Sequence, residues 1–161
     1  MLHFAYGSNM DRALMRRHAP AAVASGIAAL ADHRFIISAD GYASIEKKRG
    51  AIVHGVLWRL TPRDRARLDA WESVGSGLYR AEILPVRRSG TRAPALIYIG
   101  RRHGLGRPKP GYMELVVAAA RAWRLPDRYI ESLRHYLPAE EAGGRPRRRG
   151  EREWTSLAVS S

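Results

Sequence analysis

The sequence predicts an α+β domain built on a small, twisted or closed sheet. Strand-like apolar segments follow one another closely, only one amphipathic helix interrupts them, and a pair of helices ends the patterned region. A doubly wound parallel fold would need more crossover helices. The 161 residues suit one compact domain able to bury roughly two-thirds of its unfolded surface. The periodic pattern stops after Pro138, so residues 1–139 are read as the domain and 140–161 as a basic C-terminal tail.

Taken in order, His3 to Tyr6 reads as the end of a short strand that turns through Gly7 and Ser8. Asn9 is placed to cap a helix starting near Met10, which runs with Leu14 and Met15 inward until Pro20 ends it. Ala21 to Leu30 fits a strand with a bulge or close backbone contact at Gly26, and His33 to Ser38 the next strand, followed by an Asp40-Gly41 turn. Tyr42 to Ile45 is a brief extended piece, and the charged Glu46 to Gly50 reads as a surface loop. Ile52 to Trp58 has the near-continuous apolar character of a strand covered on both sides.

Thr61-Pro62-Arg63-Asp64 spells a helix start: a capping hydroxyl, proline at the first helical position, and an acid completing a variant capping box. That helix runs to about Trp71. Ser73 to Gly77 reads as a flexible turn, Tyr79 to Val86 as a strand, Arg87 to Arg92 as a polar hairpin loop, and Ala95 to Ile99 as a buried strand. Gly104 to Gly111 is loop. Tyr112, Leu115, Val116, Ala119, Ala120 and Trp123 recur at helical spacing, and a last helix begins at Asp127 with Ile130, Leu133 and Leu137 as its apolar edge. Trp154, Leu157 and Val159 are candidates to fold back from the tail.

Composition narrows the function. The net charge is +13, carried almost wholly by arginine scattered along the chain, with one dense run from Arg145 to Arg149. Such a field could attract nucleic acid or anionic substrates, but a coding preference for arginine over lysine gives the same pattern. There is no cysteine, which removes disulfide and thiolate chemistry. No apolar run approaches the ~20 residues of a membrane span, and no signal-peptide pattern opens the chain, so a cytoplasmic protein is expected. His3, His18, His33, His54, His103 and His135 are dispersed, without metal-ligand spacing. Neither a nucleophile elbow nor a phosphate-loop motif is present, and no metal or cofactor is expected.

Two features could carry chemistry. A strand that turns through Gly7 towards a helix start leaves backbone N–H groups pointing one way, a concavity suited to a carboxylate or an oxyanion. An ordinary strand-to-helix turn would read the same. Glu72 falls four residues beyond Leu68, on the inward stripe of its helix, where partial desolvation would raise its pKa. If the helix ends earlier, Glu72 is instead an exposed acid or the partner of an arginine.

Three stretches together resemble one family. Phe4-Ala5-Tyr6-Gly7-Ser8-Asn9-Met10 resembles the F-x-Y-G-S-N-L/M signature of the γ-glutamylcyclotransferase family. The segment Leu68-Asp69-Ala70-Trp71-Glu72-Ser73-Val74-Gly75-Ser76-Gly77-Leu78-Tyr79 is similar to its L-D-x-x-E-G-V-x-x-G-x-Y pattern. Pro108 to Tyr112, with Leu125 to Tyr129, is similar to its P-S-x-x-Y and G-L-P-x-x-Y stretches and favours this branch over the γ-glutamylamine branch. Order and spacing agree across roughly residues 3 to 137.

The resemblance implies a small mixed β-barrel flanked by helices, cleaving γ-glutamyl amides to 5-oxoproline and a free amine. It implies that Tyr6, Gly7, Ser8, Asn9 and Met10 hold the γ-glutamyl group, that Glu72 is the acid–base, and that Tyr79 and Tyr112 lie near the pocket. Its partner is a small-molecule γ-glutamyl substrate, with no membrane or metal, and a homodimer is compatible with it. The substrate's own α-amine is the nucleophile, so no enzyme nucleophile is required. Positioning alone is worth about 7–11 kcal/mol in such reactions. Ser73 stands where the family carries glycine, and Lys109 where it often carries serine. Two alternatives stay beside this reading: an enzyme specialised for one γ-glutamylated biosynthetic metabolite, and a basic nucleic-acid-binding protein on an inactive scaffold.

Overall fold

The computed structural model describes residues 1–101 and 104–139. His103, the run from Arg145 to Arg149, and the folding back of Trp154, Leu157 and Val159 lie outside the described residues. Five strands close into a barrel in the order β1-β3-β2-β4-β5. They are β1 (Leu2–Ala5), β2 (Val23–Ile37), β3 (Ala43–Arg59), β4 (Tyr79–Arg88) and β5 (Thr91–Gly100). All neighbours are antiparallel except β1 and β5, which close the barrel in parallel at His3 and Leu96. The helices are α1 (Arg12–His18), α2 (Pro62–Trp71), α3 (Tyr112–Ala122) and α4 (Asp127–Arg134). This is the α+β barrel expected from the sequence.

The local chemistry of α2 appears as its residues predict. The Thr61 hydroxyl accepts from the Asp64 N–H at 3.1 Å, while the Asp64 carboxylate accepts from the Thr61 N–H, also at 3.1 Å. At the far end Ser73 N–H donates to Ala70 O and Val74 N–H to Asp69 O, the paired bonds of a Schellman ending. Ser73 is the left-handed residue this ending requires, with φ 52°. The segment read as a flexible turn is thus held by a series of backbone hydrogen bonds.

Four expectations are corrected. The two strands read over Ala21–Leu30 and His33–Ser38 are one long β2, bulged near Gly26 and at Asp32, where the periodicity breaks. Glu46 to Gly50 is not a loop but part of β3. Its charges stand on an exposed stretch of sheet, with Glu46 bonded to Arg34 across the pair. The Arg87–Arg92 loop is a tight turn at Ser89-Gly90, both with positive φ, so its arginines belong to paired strands. Asn9 does not cap α1. Asp11 does, its carboxylate accepting from the Leu14 N–H at 2.8 Å, after a single 3₁₀ turn over Ser8–Met10.

The bulge opposite Asp32 is anchored by Gly50 N–H to the Asp32 carboxylate at 2.9 Å, and Ala43 at the hairpin tip lies against Gly7, just after β1. The core runs through the barrel and under α3 and α4, with Phe4, Leu57, Leu68, Leu96, Met113 and Leu133 fully buried.

Candidate active site

The chain leaves β1 at Gly7, and the turn lies against two other elements. A Cβ at Gly7 would stand 2.9 Å from the Tyr112 hydroxyl and 3.0 Å from the Ala43 methyl, so glycine lets the turn approach both. Ala43, at the tip of the β2–β3 hairpin, is held from two sides. Its N–H donates to the Tyr112 hydroxyl at 3.2 Å, and its carbonyl accepts from the Tyr79 hydroxyl at 3.1 Å. The first turn of the chain, the hairpin tip, the start of β4 and the start of α3 therefore meet around one cavity.

Tyr6, Gly7, Ser8, Asn9, Glu72, Tyr79 and Tyr112 all line that cavity. Met10 does not. It is fully buried behind the turn, with its carbonyl accepting from the Trp123 indole N–H at 2.7 Å. The cavity wall also includes His3, Tyr42, Trp71, Leu78 and Tyr98. Leu78 and Trp71 flank Glu72 in sequence and could have been drawn in from its motif. Tyr98 carries no local signal: it is one aromatic in a buried strand, brought to the cavity by barrel closure.

Glu72 caps the end of α2, its N–H bonded to Leu68 O at 2.8 Å. Trp71, the residue before it, is fixed by stacking on His18 with ring centroids 3.7 Å apart. The Glu72 carboxylate accepts one side-chain hydrogen bond, from the Asn9 amide at 3.0 Å. Burial pushes its pKa up to about 7, against the opposing pull of that bond. The Asn9 carbonyl oxygen is buried, with no partner among the described residues. The wall thus carries a proton-accepting carboxylate beside an unfilled acceptor, and among the described residues no lysine or arginine lines it.

The tyrosines stay protonated at neutral pH. Burial raises Tyr6, Tyr79 and Tyr98 and pushes Tyr112 up to about 12, with the nearby Glu72 charge acting in the same direction. Their hydroxyls organise the wall: Tyr6 donates to Tyr98 O at 2.5 Å and Tyr98 to the Asp69 carboxylate at 2.7 Å. Among the described residues no group of three or more His, Cys, Asp or Glu could hold a metal ion, and no helix is long and apolar enough to cross a membrane.

Comparison with known proteins bears on this arrangement. The AIG2-like family profile matches residues 52–133. The γ-glutamylcyclotransferase of Mus musculus is 30% identical, covering 88% of this chain and 81% of that protein. That of Homo sapiens is 27% identical over the same shares. A solved γ-glutamyl cyclotransferase structure superposes with a TM-score of 0.81 at 26% identity, covering 89% of this chain and 92% of the other. By sequence and by fold, then, this chain belongs to the AIG2-like, γ-glutamylcyclotransferase family of enzymes.

Proposed function

We propose that the protein cyclises the γ-glutamyl group of a γ-glutamyl amide to 5-oxoproline, releasing the free amine, with Glu72 as general base and then general acid. One observation carries this reading: Glu72 lines a tyrosine-walled cavity, its pKa raised to about 7 and its carboxylate bonded to Asn9 of the opening turn. An α-ammonium titrates near ~8, so taking its proton costs about 1–2 kcal/mol for such a carboxylate, against roughly 5 kcal/mol for an ordinary glutamate. The unpartnered Asn9 oxygen offers the same ammonium a second acceptor.

The electron bookkeeping needs nothing further. The α-amine, once deprotonated by Glu72, bonds to the γ-carbonyl carbon and pushes its electrons onto oxygen. The N–H groups of the Gly7–Asn9 turn suit that oxyanion and the α-carboxylate. Collapse breaks the bond to the amide nitrogen, which takes the proton returned by Glu72. The ring nitrogen then gives up its second proton through the freed carboxylate, so the amine departs as its ammonium and the ring is left as a neutral lactam. Among the described residues no lysine or arginine lines the cavity beside Glu72.

The test is release of 5-oxoproline from a panel of γ-glutamyl dipeptides, detected by mass spectrometry, for wild type and Glu72→Gln. Wild type is expected to turn over simple dipeptides, and the variant to lose about 10³-fold or more in kcat while remaining folded. Turnover at wild-type level by Glu72→Gln removes that residue from the mechanism. Product from one γ-glutamylated metabolite and from no simple dipeptide would favour the specialised enzyme. Ser73 and Lys109 are the positions to examine first in that case.

A further inference from the structure

We propose that His3 contacts the scissile amide itself, its Nε2 accepting a hydrogen bond from the N–H of the bond that is cleaved. This rests on the cyclotransferase reading above. His3 is only 2% exposed, sits on β1 just before the cavity turn, and borders the cavity beside Tyr98, whose ring it meets edge-on at 5.4 Å. Its Nδ1 lies 3.0 Å from the Leu96 carbonyl. A carbonyl only accepts, so the ring proton is on Nδ1 and Nε2 presents a bare lone pair. Burial lowers the imidazole to about 4, which keeps it neutral at pH 7.

Among the described residues no group meets that lone pair. A buried acceptor without a donor is costly, and an apolar side chain would fill the position without that cost. The missing donor is therefore sought in the ligand. A γ-glutamyl amide has two kinds: the α-amine, which Glu72 and the Asn9 oxygen take, and the N–H of the scissile amide. The second is the one left for His3. Accepting from it fixes the plane of the amide, turning the face of its carbonyl carbon towards the curling amine. A neutral imidazole with Nδ1–H tied to Leu96 donates no proton to the leaving group, so this role is distinct from that of Glu72.

Two substitutions separate this contact from the structural bond. His3→Asn can keep a donor at the δ position for Leu96 while removing the ε acceptor; His3→Gln does the reverse. Each is assayed beside wild type on a γ-glutamyl amide and on the isosteric γ-glutamyl ester, which lacks the N–H, after subtraction of uncatalysed cyclisation. Thermal unfolding is followed in parallel. His3→Asn is expected to lose 10-fold or more in kcat/KM on the amide and little on the ester, with its Tm close to that of wild type. His3→Gln is expected to keep the wild-type ratio of amide to ester even where its Tm falls. An unchanged ratio in His3→Asn, equal losses on both substrates, or a ratio lost in His3→Gln overturns the proposal. No turnover of either substrate by wild type would overturn the cyclotransferase reading, and this inference with it.

Discussion

Helix α2 holds a buried or partly buried acid at each end, and the two are treated in opposite ways. Asp64, 2% exposed at the N-terminus, accepts from the Thr61 N–H, the Thr61 hydroxyl and the Ala21 N–H. Glu72, at the C-terminus, accepts from the Asn9 amide. At its end of the helix Asp64 also meets the unpaired N–H groups and the positive pole of the backbone, while Glu72 sits at the negative pole. One carboxylate is fully furnished with donors and fastens α2 to the chain after α1. The other accepts one side-chain hydrogen bond, and burial raises its pKa to about 7. On the proposed reading, the provision of donors, more than burial itself, separates a structural acid from a chemical one.

That contrast can be broken by experiment. Asp64→Ala leaves the Thr61 and Ala21 N–H groups without their acceptor, and a loss of about 3 kcal/mol is expected in denaturant unfolding. Specific activity of the remaining folded protein should change little. A stable Asp64→Ala protein with impaired catalysis would contradict the division of roles.

The second effect is smaller and has a definite sign. Because the folded-state pKa of Glu72 lies near 7, above its ordinary value, the folded protein holds this proton more tightly than the unfolded chain. Its contribution therefore declines as pH rises from about 4.5 to about 7 and stays low above that. Glu72→Gln should match wild type in stability near pH 4 and exceed it by about 2–3 kcal/mol near pH 8. Equal stability curves at all pH values would mean that Glu72 is as well solvated as any surface acid.

The smallest effect concerns the end of α2 itself. Ser73 adopts φ 52°, in the left-handed region, so Ser73→Gly should relieve strain and raise stability by about 0.5–1 kcal/mol in thermal unfolding. A loss of stability would show that the buried Ser73 side chain contributes more than its backbone costs.

What was legible in the sequence followed from short-range chemistry. Thr61, Pro62 and Asp64 announced the start of α2, and the Leu68-to-Glu72 spacing announced where the acid would face. The long hairpin was harder to read. Bulges at Gly26 and Asp32 interrupt the alternation of β2, and the charges of Glu46 to Gly50 look like loop although that strand is exposed on both sides. Asn9 is a good cap by residue type, but Asp11, two residues on, is an equally good one, and only the fold decides between them. Tyr98 and His3 reach the cavity through barrel closure, for which no local pattern exists.

The meeting of His3 with Leu96 has a last consequence. These residues are separated by 93 positions, yet their contact is where the barrel's first and last strands join. The strand that carries the cavity turn is only four residues long, so alone it offers little to hold the turn in place. A growing chain thus has its cavity turn almost from the first residues made, but no pocket until β5 emerges. Bringing such distant partners together is entropically expensive, which puts the birth of the active site late in folding rather than early.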